Sequence, residues 1–162
     1  MIVVADTTPI HYLVLLGHAD VLHTLYGHVI IPEAVFRELQ ASATPAMVRE
    51  WVANRQEWLA VRPVSVPQDL FLKALDPGER EAIALAEELR ADAVIIDDRA
   101  ARREAERRKL RVIGTLRVLD DAAMAGLLDL PEALQRLQAA GFYLDPTLKQ
   151  FLLDRHLGRR GG

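Results

Sequence analysis

The chain has 162 residues, 51% of them hydrophobic, which is enough for one domain with its own core. Its formal net charge of -3 gives no global field for nucleic acid or a membrane surface, and without cysteine it has no disulfide, thiolate metal site or Cys nucleophile. No apolar run approaches the ~18 residues of a membrane span, and the N-terminal run breaks at Asp6 with no basic region before it, so a cytoplasmic domain without a secretory signal is expected.

Ile2-Val3-Val4-Ala5 is an all-apolar run of the kind a parallel sheet buries on both faces, and it ends in Asp6-Thr7-Thr8-Pro9. Asp6 or a threonine is placed to cap the helix expected over Pro9–Leu16. Further strands are expected at 28–31, 60–63, 93–96 and 111–113, alternating with helical patterns. Together with 2–5 they predict an α/β three-layer sandwich with a mostly parallel sheet of about five strands. Pro32, Pro45 and Pro77 stand where first-turn prolines open helices, and Asp76 is the expected N-cap of the last of these. Gly17, Gly27, Gly126 and Gly141 each follow an apolar-periodic segment, as helix-ending glycines do. Residues 41–44 read as a short loop and 63–69 as a connection to another helix. Residues 1–127 thus form the α/β body. The segment 128–157 is a helical extension of it, with Pro131–Ala140 and Pro146–Leu157 placed to cover an edge, pack on a partner or close over a site. The tail 158–162 is expected to be disordered.

Carboxylates recur at the ends of these elements. Asp6 closes the first strand, and in open α/β sheets ligands bind beyond the carboxyl ends of strands. On the helix over Pro32–Gln40, Glu38 falls between Ala34 and Val35 inside the apolar arc, where a carboxylate is costly unless paired, protonated or metal-bound. The bland alternative is an ion pair with an arginine at the edge of the core. In Pro77-Gly78-Glu79-Arg80-Glu81, Glu79 lies in the arc of Ala82, Ile83 and Ala86. Glu81 points roughly 160° away at ~100° per residue, and is expected to face solvent. Asp97 and Asp98 end the fourth strand, and one of them is expected to cap the helix Arg99–Lys109. Thr115, just past the fifth strand, either caps its own helix or orients a metal-bound water.

Acids gathered from separate segments repel one another, so a cup of them suits a hard divalent cation, Mg²⁺ or Mn²⁺. Phosphodiester hydrolysis is the reaction class such a site serves. The stretch after the Asp pair carries Arg99, Arg102, Arg103, Arg107, Arg108, Lys109 and Arg111 against Glu104 and Glu106. Arg99, Arg102 and Arg103 are candidates for holding a nucleic-acid backbone; the plainer reading is a solvated helix with internal Glu–Arg pairs. The histidines show no metal-ligand spacing, Trp51, Trp58 and Tyr26 are too scattered for a stacking platform, and no glycine-rich phosphate loop is present.

Five segments in order, Val4-Ala5-Asp6-Thr7-Thr8-Pro9-Ile10, Ile31 to Leu39, Gly78 to Ala86, Ile95 to Arg102 and Val112-Ile113-Gly114-Thr115-Leu116, resemble the motifs of PIN domains over about residues 2–127. They are most similar to a prokaryotic branch with predicted nucleic-acid binding. The resemblance implies a Mg²⁺- or Mn²⁺-dependent ribonuclease acting on RNA, with Asp6, Glu38, Glu79 and Asp98 as the acids and Asp97 beside Asp98 at the metal. From their own positions, Thr7, Thr115 and, as a lesser candidate, Glu81 are expected in support. Many members of the family are dimeric toxins of the VapC type, silenced by a small antitoxin protein, so a homo-oligomer and such a partner are implied too. Toxin members more often have Asp where this chain has Glu79, and minimal toxins lack the segment beyond 127.

A second reading is a PIN-like module that holds RNA or a protein without turnover. A response-regulator receiver would need a Lys after the last strand, where this chain has Gly114-Thr115-Leu116-Arg117. A haloacid-dehalogenase phosphatase would need Asp-x-Asp after the first strand, where it has Asp6-Thr7-Thr8.

Overall fold

The computed structural model describes residues 1–161. In chain order the elements are β1 (Ile2–Ala5), α1 (Thr7–Leu15), α2 (Val21–Tyr26), β2 (His28–Pro32), α3 (Glu33–Leu39), α4 (Ala46–Ala53), β3 (Leu59–Arg62), α5 (Leu70–Lys73), α6 (Pro77–Glu88), β4 (Ala93–Ile95), α7 (Arg99–Arg107), β5 (Val112–Ile113), α8 (Thr115–Met124), α9 (Leu130–Ala139) and α10 (Pro146–Gly161). The five strands form one parallel sheet in the order β3-β2-β1-β4-β5. Each strand predicted from an apolar run is present, with no end shifted by more than one residue. The short helix α2 ends at Gly27 and α5 follows the connection 63–69, as the glycine and the loop imply.

Side chains alternate across a strand, so each strand feeds two cores. Val3, Ala5, Ala93 and Ile95 pack with residues of α1, α2, α3, α4, α8, α9 and α10. Val4, Val94 and Ile96 pack on the other face with α5, α6 and α7, where Ala82, Ala86, Ala101 and Ala105 let the helices approach closely. This is the expected three-layer sandwich. Trp58, left scattered by the sequence, is buried with its ring 5.9 Å from Trp51 and stacked 5.6 Å from His23. These rings are core packing rather than a surface platform.

The chain winds from β1 to β2 and β3 on one side, then crosses to β4 and β5 on the other. The switch point therefore lies between β1 and β4, and a crevice opens beyond their carboxyl ends. The Asp6 N–H donates to the Ile95 carbonyl at 2.9 Å, extending the β1–β4 ladder to the rim of that crevice. The predicted helix-ending glycines all adopt positive φ, from 76° to 102°. Among the described residues no helix is long and apolar enough to cross a membrane.

The helices after β5 pack on α8. Leu130, Ala133, Leu134 and Leu137 of α9 and Leu152 of α10 join the first core. Asp120 of α8, 2% exposed, accepts from Arg155 at 2.8 Å and from Arg159 at 2.7 Å. The helix α10 continues past Leu157 to Gly161, through residues expected to be a disordered tail; Gly162 lies outside the described residues.

Candidate functional site

Strand parity aims the acids. Asp6 follows Val4 in the alternation of β1, and Asp98 follows Val94 and Ile96 beyond β4, so both turn toward the α6–α7 face. Asp76 caps α6, and Glu79 completes a capping box: its N–H donates to Asp76 Oδ1 at 2.9 Å, and its Oε1 accepts from the Asp76 N–H at 3.2 Å. That box fixes Glu79 on the inner side of the first turn, where it is buried. Glu38 arrives from α3. Its Oε1 accepts from the Gly78 N–H at 3.0 Å, and its Oε2 accepts from the Thr7 hydroxyl. A Cβ on residue 78 would lie 2.6 Å from a Glu38 carboxylate oxygen, so only glycine permits this approach. Glu38 has no arginine partner among the described residues; Arg37 turns instead to Glu33 and Glu81.

The carboxylates also act on one another through their charge. Asp6, 4% exposed, makes no capping hydrogen bond. Burial pushes its carboxyl from the ordinary 3.8 up to about 8, opposed by the adjacent Thr7 N–H and reinforced by Glu79, Asp76 and Glu38. Burial also raises Glu79 from 4.5 to about 7, opposed by the Asp76 N–H and reinforced by Asp76, Asp98 and Glu38. Asp6, Glu38, Glu79 and Asp98 therefore ring one space, with Asp76 as a further acid that sequence reasoning took only for a cap. The signal for it was the Asp-x-x-Glu spacing into Glu79. Among the described residues no three such side chains are drawn tightly enough together to grip an ion. Three of the acids are held by donors of their own: Glu38 by Thr7 and Gly78, Glu79 by Asp76, and Asp98 by the Ala101 N–H it accepts from at 3.0 Å while capping α7.

Asp97 stands apart. Its parity is that of Ala93 and Ile95, so it turns to the opposite face. There Oδ1 accepts from the Thr115 N–H at 2.8 Å and Oδ2 from the Thr115 hydroxyl at 2.5 Å. Burial raises its carboxyl, while the Thr115 hydrogen bonds and the Arg102 charge lower it. The Thr115 hydroxyl is thus engaged by Asp97, and the pair splits into Asp98, cap and cup member, and Asp97, a brace between β4 and α8. Glu81, expected to face solvent, is only 19% exposed at its side chain and accepts from the Ala34 N–H at 3.0 Å. The first turn of α3 leaves that N–H without a helical partner, and Glu81 satisfies it across the α3–α6 contact.

The basic helix α7 divides into two faces. Arg108 pairs with Asp69, Glu87 and Glu104, and Arg107 also grips Glu104, which is the plain ion-paired helix. Arg99, Arg102 and Arg103 form no ion pair among the described residues and line a cleft of about 630 Å³. Its other walls include Asp97, Arg117 and Tyr143. Arg102 reaches in over Gly114, where a Cβ would lie 2.7 Å from its Nη1.

The sequence profile of the PIN domain matches residues 2–157, past the last strand and into α10. Among solved structures the fold is similar to a PilT N-terminus domain protein from the hyperthermophilic archaeon Sulfolobus solfataricus P2. The likeness has a TM-score of 0.52 at 19% identity and covers 75% of this chain and 93% of that one. No curated protein matches the chain.

Proposed function

We propose, from the premise that this chain belongs to the PIN-domain family, that it is a Mg²⁺- or Mn²⁺-dependent endoribonuclease. Members of the family are generally nucleases that use divalent metal ions. The observation that carries the finer reading is the convergence of Asp6, Glu38, Glu79 and Asp98 at the β1–β4 switch point. Their donors are all hard oxygens, and burial, with the charge of neighbouring acids, pushes two of the carboxyls up to about 8 and about 7. That set fits Mg²⁺ or Mn²⁺ rather than a softer metal. The ion, when bound, would lower the pKa of an attacking water and neutralise charge on the phosphate.

The chain's own groups prepare the site. Thr7 and Gly78 hold both Glu38 oxygens toward the crevice, the capping box holds Glu79, and the Ala101 N–H orients Asp98. Asp98 is exposed while Asp6 is buried, so the cup opens to solvent on the Asp98 side and is dry at its base. With its carboxyl near 8, Asp6 carries a proton at neutral pH that metal binding must release, so metal affinity is expected to fall as pH falls.

The test is direct. The chain is stripped with EDTA, and cleavage of a labelled single-stranded RNA is followed on gels before and after adding Mn²⁺ or Mg²⁺. Internal cuts that appear only with the ion are expected. RNA retained with or without EDTA, and uncut under either metal, would instead establish the non-catalytic binding module.

Gly78→Ala should separate site from fold. Alanine improves helix propensity by up to ~1 kcal/mol, but its methyl drives the Glu38 carboxylate off the Gly78 N–H. Cleavage is expected to drop about tenfold or more with little change in melting temperature. Unaltered turnover in that variant would remove Glu38 from the site.

A further inference from the structure

We infer that Tyr143 is a base-stacking residue, and that the segment 142–145 forms the far wall of a cleft that seats single-stranded RNA beside the acidic cup. Tyr143 is 80% exposed, although the residues on either side of it are anchored. Phe142 packs edge-on against Tyr12 of α1, with ring centroids 5.2 Å apart and an interplanar angle of 89°. Leu144 is 3% exposed and belongs to the first core. Alternation of inward, outward and inward side chains therefore holds the Tyr143 backbone in place and turns its ring outward. A ring presented on a fixed backbone loses little freedom on stacking. The face it presents is not empty surface: it lines the same cleft as Arg99, Arg102 and Arg103, which have no ion pair among the described residues, with Arg117, paired to Asp121, and the acids Asp97, Glu106 and Asp145 on the other walls. An aromatic beside a row of arginines is the combination that grips a single strand, with cations on the phosphates and a flat face for an unpaired base. A duplex keeps its bases stacked inside and offers nothing to that ring. The cleft and the cup meet at the carboxyl end of β4, where Asp97 lines the cleft on one face and the next residue, Asp98, has the opposite parity and turns to the face of the acids. A strand held here therefore has its register relative to the acids set partly by where a base meets Tyr143.

The inference rests on the ribonuclease reading, and the experiment keeps the two apart. Binding of a fluorescein-labelled, mixed-sequence single-stranded RNA is measured by anisotropy in the full chain carrying Asp6→Asn, alone and combined with Tyr143→Ala or Tyr143→Phe. Tyr143→Ala is expected to weaken binding about tenfold, with Tyr143→Phe close to its background, because stacking needs the ring and not the hydroxyl. In the otherwise unaltered chain with Mn²⁺, Tyr143→Ala is expected to raise KM and shift the cut positions while kcat holds. Equal binding with and without the ring overturns the inference, as does duplex RNA binding as tightly as the single strand. If the unaltered chain still cuts RNA in that case, the ribonuclease reading stands and only the stacking role falls. Absence of both binding and cutting removes both.

Discussion

Asp6→Asn is expected to abolish Mn²⁺-dependent RNA cleavage, by roughly a thousandfold or more, while the chain stays folded. Asparagine keeps the size of the side chain but cannot supply the negative oxygen at the base of the cup. The same substitution should change how stability depends on pH. Asp6 has a folded pKa of about 8 against 3.8 ordinarily, so the folded chain holds this proton more tightly than the unfolded one. Its contribution is fully present below about pH 4 and declines as pH rises, until it is lost above about pH 8. The penalty at high pH is on the order of a few kcal/mol. Glu79, raised from 4.5 to about 7, acts with the same sign over a narrower window. Metal-free protein should therefore melt at progressively lower temperature across this range, and Asp6→Asn should flatten the decline. Mn²⁺ should raise the melting temperature of the parent at pH 8 far more than that of the variant. Unchanged cleavage by Asp6→Asn, with melts that superimpose on the parent's, would defeat the assignment.

Asp120→Ala is expected to be strongly destabilising although it lies away from the cup. The Asp120 side chain is 3% exposed and receives Arg155 and Arg159, whose side chains are 45% and 28% exposed. Removing one partner of a buried pair costs roughly 3–5 kcal/mol when the other is left in a dry site. Here the arginines retain part of their water, so about 2–3 kcal/mol is expected. For a domain of this size that lowers the melting temperature by about 5–10 °C. The loss should be local first, because α10 has only a few other anchors, Leu152 and His156 among them. Hydrogen exchange should show amides of α10 losing protection ahead of the sheet. Equal protection in the variant would mean that apolar packing alone docks the helix.

The fold was legible because strands buried on both faces of a parallel sheet read as short, near-continuous apolar runs, as Val29-Ile30-Ile31 and Ala93-Val94-Ile95-Ile96 do. Glu38 and Glu79 were legible for a related reason: a carboxylate in the apolar arc of a helix is conspicuous on a wheel. The division between Asp97 and Asp98 was written in the sequence less visibly. Counting parity from Val94 and Ile96 puts Asp98 on the Val4–Asp6 face, but the count holds only if the chain stays extended past the strand's last ladder residue. Glu81 defeated the wheel because its partner, the Ala34 N–H, belongs to another helix end and carries no side-chain signature. Tyr143 was invisible for the strongest reason. Its position is set by Phe142 meeting Tyr12 across the fold, and no local pattern registers such a contact.

The order of the strands also has a consequence for how the protein is made. β1 is the first strand synthesised, yet it ends between β2 and β4, and its second ladder joins Ala5 to Ile95. A nascent chain that has delivered everything from β1 through α6 carries Asp6, Glu38 and Glu79, but the β4 edge of β1 is still bare and Asp98 is absent. Closing a loop of that length is entropically slow, and it precedes the contacts that reward it. The last acid therefore arrives with the strand that covers the second edge of β1, so the cup is assembled only when the two halves of the sheet are joined. A growing or partly unfolded chain would carry the acids without the assembled site, and whatever chemistry the cup performs would be confined to finished molecules.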